Sequence, residues 1–332
     1  MTTTTSRGGW PAKFLFVLFW VVDSFGFFLL RASAVFAPIP SASWSAFVQE
    51  CLDEAPVTGE CTTWASGNNY GTMPNWDVSL VEDMTGFTYE GGGGFKGFGG
   101  RSTFNGDITR WNTGRVKIMT YMFFRAYAFN QDIGRWNTEN VVDMEYTFYR
   151  AYAFNQNIGS WNTAGVTSMG AMFLRASSFN QDIGDWNTAQ VKMMGSMFSQ
   201  AHAFNQDIGR WNTEQVTDMA GMFYNAFVFD QDISSWTGTG ATTAQDLMFV
   251  SASAFQAKYE CTDLITGPVS SCSTVKGSWV APSPSAPSPP PPLSIVVTYL
   301  PTPASSAVAT KVSASAWASA VFLVALLIIA PF

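Results

Sequence analysis

The sequence is poor in charged residues. Asp, Glu, Lys and Arg make up only 12% of its 332 residues, and the net charge is −7. No block of Lys and Arg occurs beyond the first few residues. Because phosphate binding needs clustered cations, nucleic acid is not an expected partner.

The chain also has few of the side chains that usually carry catalysis. It contains one His and four Cys, so the common bases, nucleophiles and soft metal ligands are scarce. We therefore expect no enzyme activity, no catalytic or metal-binding residue and no cofactor. Hydrophobic residues, in contrast, make up 47% of the chain and aromatic residues 15%. This composition excludes an intrinsically disordered protein and predicts a packed core.

Residues 1–34 have the layout of a secretory signal peptide. Arg7 and Lys13 precede an apolar run at residues 14–22, and the small residues that follow predict cleavage after Ala34. An uncleaved signal anchor is the alternative, although the run is shorter than the about 20 residues of a membrane helix. The ASAVFAP stretch is similar to the junction of plastid presequences in some algae, but the acidic residues after it argue against a transit peptide.

The other end of the chain has the layout of a membrane tether. Residues 281–315 are rich in Pro, Ser and Ala, which predicts an extended stalk, and residues 316–332 are apolar or small and carry no charge. This order is typical of a GPI-anchor signal, and a short single membrane span is the alternative. We expect the middle of the chain to lie on the extracellular face of the plasma membrane, after passage through the secretory pathway.

A 25-residue repeat fills residues 73–256. Aligned on Trp, its copies read F-N-Q-D-I-G-x-W-N-T-x-x-V-x-x-M-x-x-M-F-x-x-A. Self-similarity on this scale indicates a solenoid, here of about seven coils with atypical outer copies. The repeated tryptophans are expected to form its core: Trp111, Trp136, Trp161, Trp186, Trp211 and Trp236.

Each coil is predicted to contain one short helix and one short strand. Val141, Met144 and Phe148 are spaced as on one face of a helix, and residues 133–138 have the composition of a strand. The predicted fold class is thus an α/β solenoid, a leucine-rich-repeat-like stack with short parallel strands and short helical turns. Residues 35–72 are expected to be its N-terminal cap and residues 257–280 its C-terminal cap.

The run M-F-x-x-A-x-x-F-N-Q-D-I-G-x-W-N-T-x-x-V-x-x-M closely resembles the repeat of BspA-like leucine-rich-repeat surface proteins. The best copies lie at residues 172–194 and 197–219. This resemblance implies a secreted or surface-tethered solenoid used in adhesion or recognition, with no known catalysis. The departures from the pattern include Thr147 in place of Met, Asn157 in place of Asp and Asp230 in place of Asn.

The four cysteines lie outside the repeats. Cys51 and Cys61 flank the predicted N-terminal cap, and Cys261 and Cys272 flank the C-terminal one. In a secreted chain, such local pairs predict two disulfides. Zinc binding by the four cysteines is the alternative, but neither pair has the short gap of zinc ligands.

The Asn and Asp residues of the repeat suggest a calcium site, because hard cations bind oxygen ligands. The aspartates recur as Asp107, Asp132, Asp182, Asp207 and Asp232. However, their spacing is not that of a calcium loop, and such side chains commonly satisfy the backbone groups of turns. We therefore interpret them as structural.

The positions at which the copies differ are the candidate binding surface. After each M-F pair, the variable positions collect aromatic residues and three successive arginines, the residue types that recognition sites favour. The candidate residues are Arg125, Tyr127, Tyr149, Arg150, Tyr152, Arg175 and His202. The alternative is that these side chains only cover the outer flank of the predicted helix.

These observations predict a tethered surface protein that recognises or adheres to an extracellular protein or glycan. The alternative is a structural coat or wall protein, in which stalk and solenoid act as a spacer. A secreted hydrolase is not favoured, because the sequence has no paired acids or catalytic triad arrangement.

Overall fold

The computed structural model describes residues 16–22, 28–34, 36–88, 94–243, 245–272 and 274–277. All of them belong to the first of two compact units, Met1–Val280. The predicted stalk and apolar anchor segment lie outside the described residues. No helix among the described residues is long and apolar enough to cross a membrane.

The predicted signal segment is described in part. Strand β1 (Phe16–Val22) pairs antiparallel with strand β2 (Phe28–Ala34), with Phe16 opposite Ala34. The remaining residues of the segment lie outside the described part of the chain.

The N-terminal cap is helical. A 3-10 helix (Ser41–Ser43) leads into helix α1 (Trp44–Glu54), which is followed by helix α2 (Thr62–Ser66) and a 3-10 helix (Met73–Asn75). Helix α1 buries one face, formed by Trp44, Val48, Cys51 and Leu52, at the spacing of a helical stripe. Strands β3 (Phe87–Thr88) and β4 (Gly94–Phe95) then form a short antiparallel pair.

Residues 101–237, all of them described, contain no helix and no strand. The chain there consists of turns and isolated parallel bridges. Each bridge joins equivalent positions of neighbouring repeats: Asp83–Ile118, Ile118–Asp143, Asp143–Ser168, Ser168–Met193 and Met193–Asp218. Successive 25-residue units therefore lie side by side in one parallel register, and we call each of them a coil.

The short helix expected at Val141, Met144 and Phe148 is not formed. An α-helix would direct each N–H to the carbonyl four residues earlier. Instead, amides alternate: Thr147 N donates to Met144 O within a turn (3.3 Å), and Phe148 N donates to Met172 O of the next coil (2.9 Å). Each coil also contains a pair of residues with positive φ four positions apart, here Tyr146 and Arg150, and these reverse the helical sense.

The strand expected at residues 133–138 is also absent, and the parallel bridge of this coil lies at Asp143 instead. Trp136 N closes a turn by donating to Ile133 O at 3.1 Å. The buried Thr138 hydroxyl donates to Asn162 O of the next coil at 3.0 Å. A side-chain bond thus joins the coils where a backbone ladder was expected.

Columns of aromatic rings fill the core. The tryptophans are at most 4% exposed, and their rings stack nearly parallel, as in Trp111–Trp136 at 6.3 Å and Trp211–Trp236 at 6.2 Å. From Trp136 to Trp236, each indole N–H of the repeat donates to an isoleucine carbonyl of the preceding coil, for example Trp161 Nε1 to Ile133 O at 3.1 Å, whereas Trp111 Nε1 donates to Met73 O at 3.0 Å. The indole N–H groups of the repeat tryptophans are therefore buried with a hydrogen-bond partner.

Phenylalanines form two more columns beside the tryptophans. Within a coil, Phe148 and Phe154 stack at 4.0 Å, and between coils Phe148 meets Phe123 at 5.6 Å. All of these rings are fully buried. Each coil consequently presents a flat apolar layer to both neighbours, which no coil could bury alone.

The C-terminal cap closes the last coil. It comprises helix α3 (Thr239–Thr242), helix α4 (Ser253–Lys258), strand β5 (Tyr259–Glu260), a 3-10 helix (Val269–Ser271) and strand β6 (Thr274–Val275). Strands β5 and β6 pair antiparallel.

The two predicted disulfides are confirmed. Cys51 bonds to Cys61 in the N-terminal cap, and Cys261 bonds to Cys272 in the C-terminal cap. Each bridge closes a short loop within its own cap, and a four-cysteine zinc site is thereby excluded.

Truncating Trp161 to Ala should lower the free energy of unfolding by about 3–5 kcal/mol, because it leaves a cavity in the middle of a buried ring column. Urea unfolding of the purified full chain measures the loss. The matched control is Tyr152→Ala, which truncates a side chain that is 39% exposed and should cost less than about 1 kcal/mol. Equal losses for the two variants would contradict the core described above.

Candidate functional site

Three of the predicted binding residues share one backbone geometry. Arg125, Arg150 and Arg175 have φ of 58°, 60° and 62°, in the left-handed region that non-glycine residues rarely adopt. Each donates its N–H to the next coil, as Arg150 N does to Leu174 O at 2.9 Å. Identical φ and identical bonding place the three side chains in register, and we call them the arginine column.

The predicted tyrosines stand beside this column. Tyr127 and Tyr152 stack at 4.9 Å, whereas Tyr149 stacks on Phe124 at 5.0 Å. The guanidinium carbon of Arg150 lies 5.2 Å from the ring centre of Tyr149, within the range of a cation–π contact. The structure therefore brings Arg125, Tyr127, Tyr149, Arg150 and Tyr152 together, with Arg175 in the next coil.

His202 is separated from this group. Its ring stacks on Phe227 at 5.0 Å, and Ser177 occupies the equivalent position between Tyr152 and His202. The column of variable positions that holds Tyr127 and Tyr152 is therefore interrupted at Ser177, and His202 belongs to a second aromatic pair with Phe227.

Arg150 is held by its neighbours. Burial works against its charge, but the nearby phenol groups of Tyr149 and Tyr152 and hydrogen bonding with Tyr127 and Tyr149 raise the pKa of Arg150 above its ordinary value. The Nε atoms of Arg125 and Arg150 are buried and have no hydrogen-bond partner among the described residues. The stems of these two arginines thus contribute to packing.

Four aromatic residues of this surface were missed in the sequence. Tyr121 and Tyr146 stack at 4.5 Å, and Phe87 contacts both Tyr121 and Phe124, with ring centres 5.7 and 5.6 Å apart. Phe95 lies 6.0 Å from Phe124 and is 48% exposed. The aromatic patch is defined here as Phe87, Phe95, Tyr121, Phe124, Tyr146 and Tyr149.

The signal for Tyr121 and Tyr146 was present in the repeat. They occupy the second variable position between its two methionines, which later coils fill with Ala171, Ser196 and Gly221. Phe87 and Phe95 come from the degenerate first copy and its insert, so no repeat register could place them.

The same surface continues into a groove of about 280 Å³. Tyr149 stands at one end and Tyr224 at the other, and Ser196, Ser199 and Gly221 lie between them. The groove forms because small side chains occupy, in these coils, the two columns that hold aromatic rings in the earlier ones.

The Asn side chains of the repeat bond neighbouring coils to each other. Asn155 N donates to Asn130 Oδ1 at 2.9 Å, and Gln156 Nε2 donates to the backbone carbonyl of Asn130 at 3.0 Å. The Asp side chains serve their own turns, as Asp182 Oδ1 accepts from Gly184 N at 3.0 Å. Among the described residues, no group of three or more His, Cys, Asp and Glu is placed to hold a metal ion.

The Asn ladder ends on a charged pair. Asp230 takes the place of Asn in the last complete coil, and its carboxylate accepts from Asn205 Nδ2 at 3.1 Å. Lys258 of helix α4 donates to the backbone carbonyl of Asp230 at 2.7 Å, and its Nζ lies 3.8 Å from Asp230 Oδ2. This departure from the repeat thus marks the junction with the C-terminal cap.

Replacing Asn180 by Ala should cost about 1–3 kcal/mol of unfolding free energy, because Asn205 N loses its acceptor and Gln206 Nε2 loses one of its two acceptors. The matched control is Asn162→Ala, since Asn162 Oδ1 accepts only from Ala164 N in its own exposed turn. Thermal melting with and without EDTA completes the test. A lower midpoint in EDTA would reveal a bound cation that the ladder interpretation does not contain.

The sequence matches the model of one protein family, described as "Mycoplasma protein of unknown function, DUF285". The match occurs twice, at residues 62–177 and at residues 156–261, and together the two matches cover more than half of the chain. No curated protein and no solved structure is significantly similar to the chain. The double match follows the repeat described above, and the chain therefore belongs to the DUF285 family of repeat proteins.

Proposed function

We propose that this protein is a surface-tethered, non-catalytic module for adhesion or recognition, built as a leucine-rich-repeat-like solenoid of the BspA type. The parallel bridges between equivalent positions of successive coils support the solenoid. The two overlapping family matches support a repeat architecture. The BspA resemblance rests on the repeat motif itself.

The observation that carries the proposal is the contrast between two kinds of column. The Trp, Phe and Met columns hold nearly the same residue in every coil and are buried. The columns beside the arginines change from coil to coil and hold Tyr, Phe, Arg, Gln or Ser, which are half-buried or exposed apart from the buried Ser199. A spacer needs only the first kind, whereas recognition sites collect Tyr and Arg as in the second.

The surface suits a protein or glycan rather than a polyanion. The arginine column supplies only three cations to a chain whose net charge is −7. Tyrosine offers a large contact area and a hydroxyl group at low entropic cost, and arginine offers directed donors. These are the groups that bind polar, uncharged surfaces.

The proposal includes export and tethering. Residues 1–34 would direct the chain into the secretory pathway. Residues 281–315 would hold the repeat region away from the membrane, and residues 316–332 would provide a lipid or transmembrane anchor. The two disulfides fit this environment, because such bonds persist in oxidising compartments.

Substituting Arg125, Arg150 and Arg175 together by Gln should reduce attachment of the full chain to its natural surface by about tenfold or more. Gln is chosen because the same column carries Gln200 in a later coil, so the fold should tolerate it. Attachment of beads coated with each variant measures the effect, with thermal melting in parallel.

The matched control is Arg110→Gln, Arg135→Gln and Arg210→Gln, which removes the same charge from exposed positions elsewhere. Equal attachment of both triple variants and the wild type would argue against recognition through this surface. It would favour the structural coat, which requires no specific contact.

A further inference from the structure

The groove between Tyr149 and Tyr224 has the features of a small ligand site. Its volume of about 280 Å³ is close to the lower end of the roughly 300–1,000 Å³ that ligand pockets occupy. Its lining combines Ser196, Ser199, Gly221, Arg175 and Gln200 with the rings of Tyr149 and Tyr224. Polar and aromatic side chains thus meet in one concave surface.

The ring column that contains Tyr149 and Tyr224 is interrupted between them, which leaves one face of Tyr224 toward the groove. One face of Tyr149 is covered by Phe124 at 5.0 Å. On its other side the column continues through Leu174 to Ser199, which is too small to fill the space before Tyr224. The groove therefore depends on small residues at three positions, Ser196, Ser199 and Gly221.

The backbone around the groove offers no edge to an extended peptide. Ser196 N donates to Ala220 O at 2.7 Å, Gln200 N to Tyr224 O at 2.7 Å and Gly221 N to Asp246 O at 2.8 Å. Strand addition needs free backbone donors and acceptors, and these donors are already used between coils. Side chains must therefore make the contacts.

The charge of the groove argues for a neutral ligand. Among the described residues that line it, Arg175 is the one cationic side chain and none carries a carboxylate. The other polar side chains are hydroxyl and amide groups, which both donate and accept hydrogen bonds. The negative faces of aromatic rings attract polarised C–H groups, which a pyranose ring presents on one face.

We propose that this groove binds a neutral mono- or disaccharide unit of a surface glycan. The sugar ring lies against Tyr224, and its hydroxyl groups bond to Arg175, Gln200 and Ser196. This inference rests on the proposed function, which it narrows from protein or glycan to neutral glycan.

The test fills the groove with a residue that its own column already accepts. Ser199→Tyr places in this coil the side chain found at Tyr149 and Tyr224. Binding of the immobilised full chain is measured against neutral disaccharides of glucose, galactose, mannose and N-acetylglucosamine. Disaccharides that contain uronic or sialic acid serve as the charged comparison.

We expect the wild type to bind at least one neutral disaccharide and Ser199→Tyr to bind it about tenfold more weakly or worse. The matched control is Ser177→Tyr, which makes the same exchange in the Tyr127 and Tyr152 column, outside the groove. It should bind like the wild type. If Ser199→Tyr does not fold, Tyr224→Ser replaces it, because it removes one end wall with a residue that the column also carries.

Three results would overturn the proposal: no binding of any neutral disaccharide at millimolar concentration, binding of acidic disaccharides alone, or unchanged affinity in the folded groove variant. Attachment of the same variants separates this failure from that of the proposed function. If Ser199→Tyr still attaches to the natural surface whereas the triple arginine variant does not, the proposed recognition function is supported and the glycan site in the groove is contradicted. If the groove variant loses sugar binding but even the wild type does not attach to the natural surface, the glycan site is supported and the proposed adhesion function is wrong.

Discussion

The structure depends on hydrogen bonds that run sideways from left-handed residues to the next coil. Eleven non-glycine residues in the described part of the chain have positive φ, a conformation that costs roughly 1–2 kcal/mol each. From Tyr121 to Asn225, each of these residues donates its N–H to a carbonyl of the following coil at 2.7–3.0 Å. A coil without a neighbour would lose those bonds and keep the cost. The coils are therefore stable only together, and the candidate surface inherits its order from the stack.

The parts of this architecture that depend on repetition could be predicted from the sequence. The Trp and Phe columns follow from the constant register, because buried layers must match their neighbours above and below. The cysteine pairs followed from their position in the two caps. The local conformation could not be predicted, because Val141, Met144 and Phe148 have a spacing that consecutive turns produce as well as a helix does. Positive φ leaves no trace in hydrophobic periodicity, least of all where Tyr, Arg and Ser adopt it in place of Gly.

The candidate site was predicted in part for the same reason. The arginine column and Tyr127, Tyr149 and Tyr152 could be found as variable positions within a repeat. The groove could not, because it exists only as a contrast among four adjacent coils, between large residues at its ends and small ones in its middle. Phe87 and Phe95 reach the aromatic patch from outside the regular repeat. Their contribution depends on the short strand pair β3–β4, which the sequence pattern did not indicate.

The charged pair of Asp230 and Lys258 has a consequence for assembly. A stack of equivalent layers has no intrinsic end. The groups that bond each inner layer to its neighbour are unpaired in the last layer, where a further copy of the molecule could bond to them. Unprotected edges of this kind promote end-to-end polymerisation. At Asp230 a carboxylate replaces the amide of the repeat, and Lys258 of helix α4 covers it. The Asn ladder therefore ends at this residue, whereas the ring columns continue to Phe249 and Phe255.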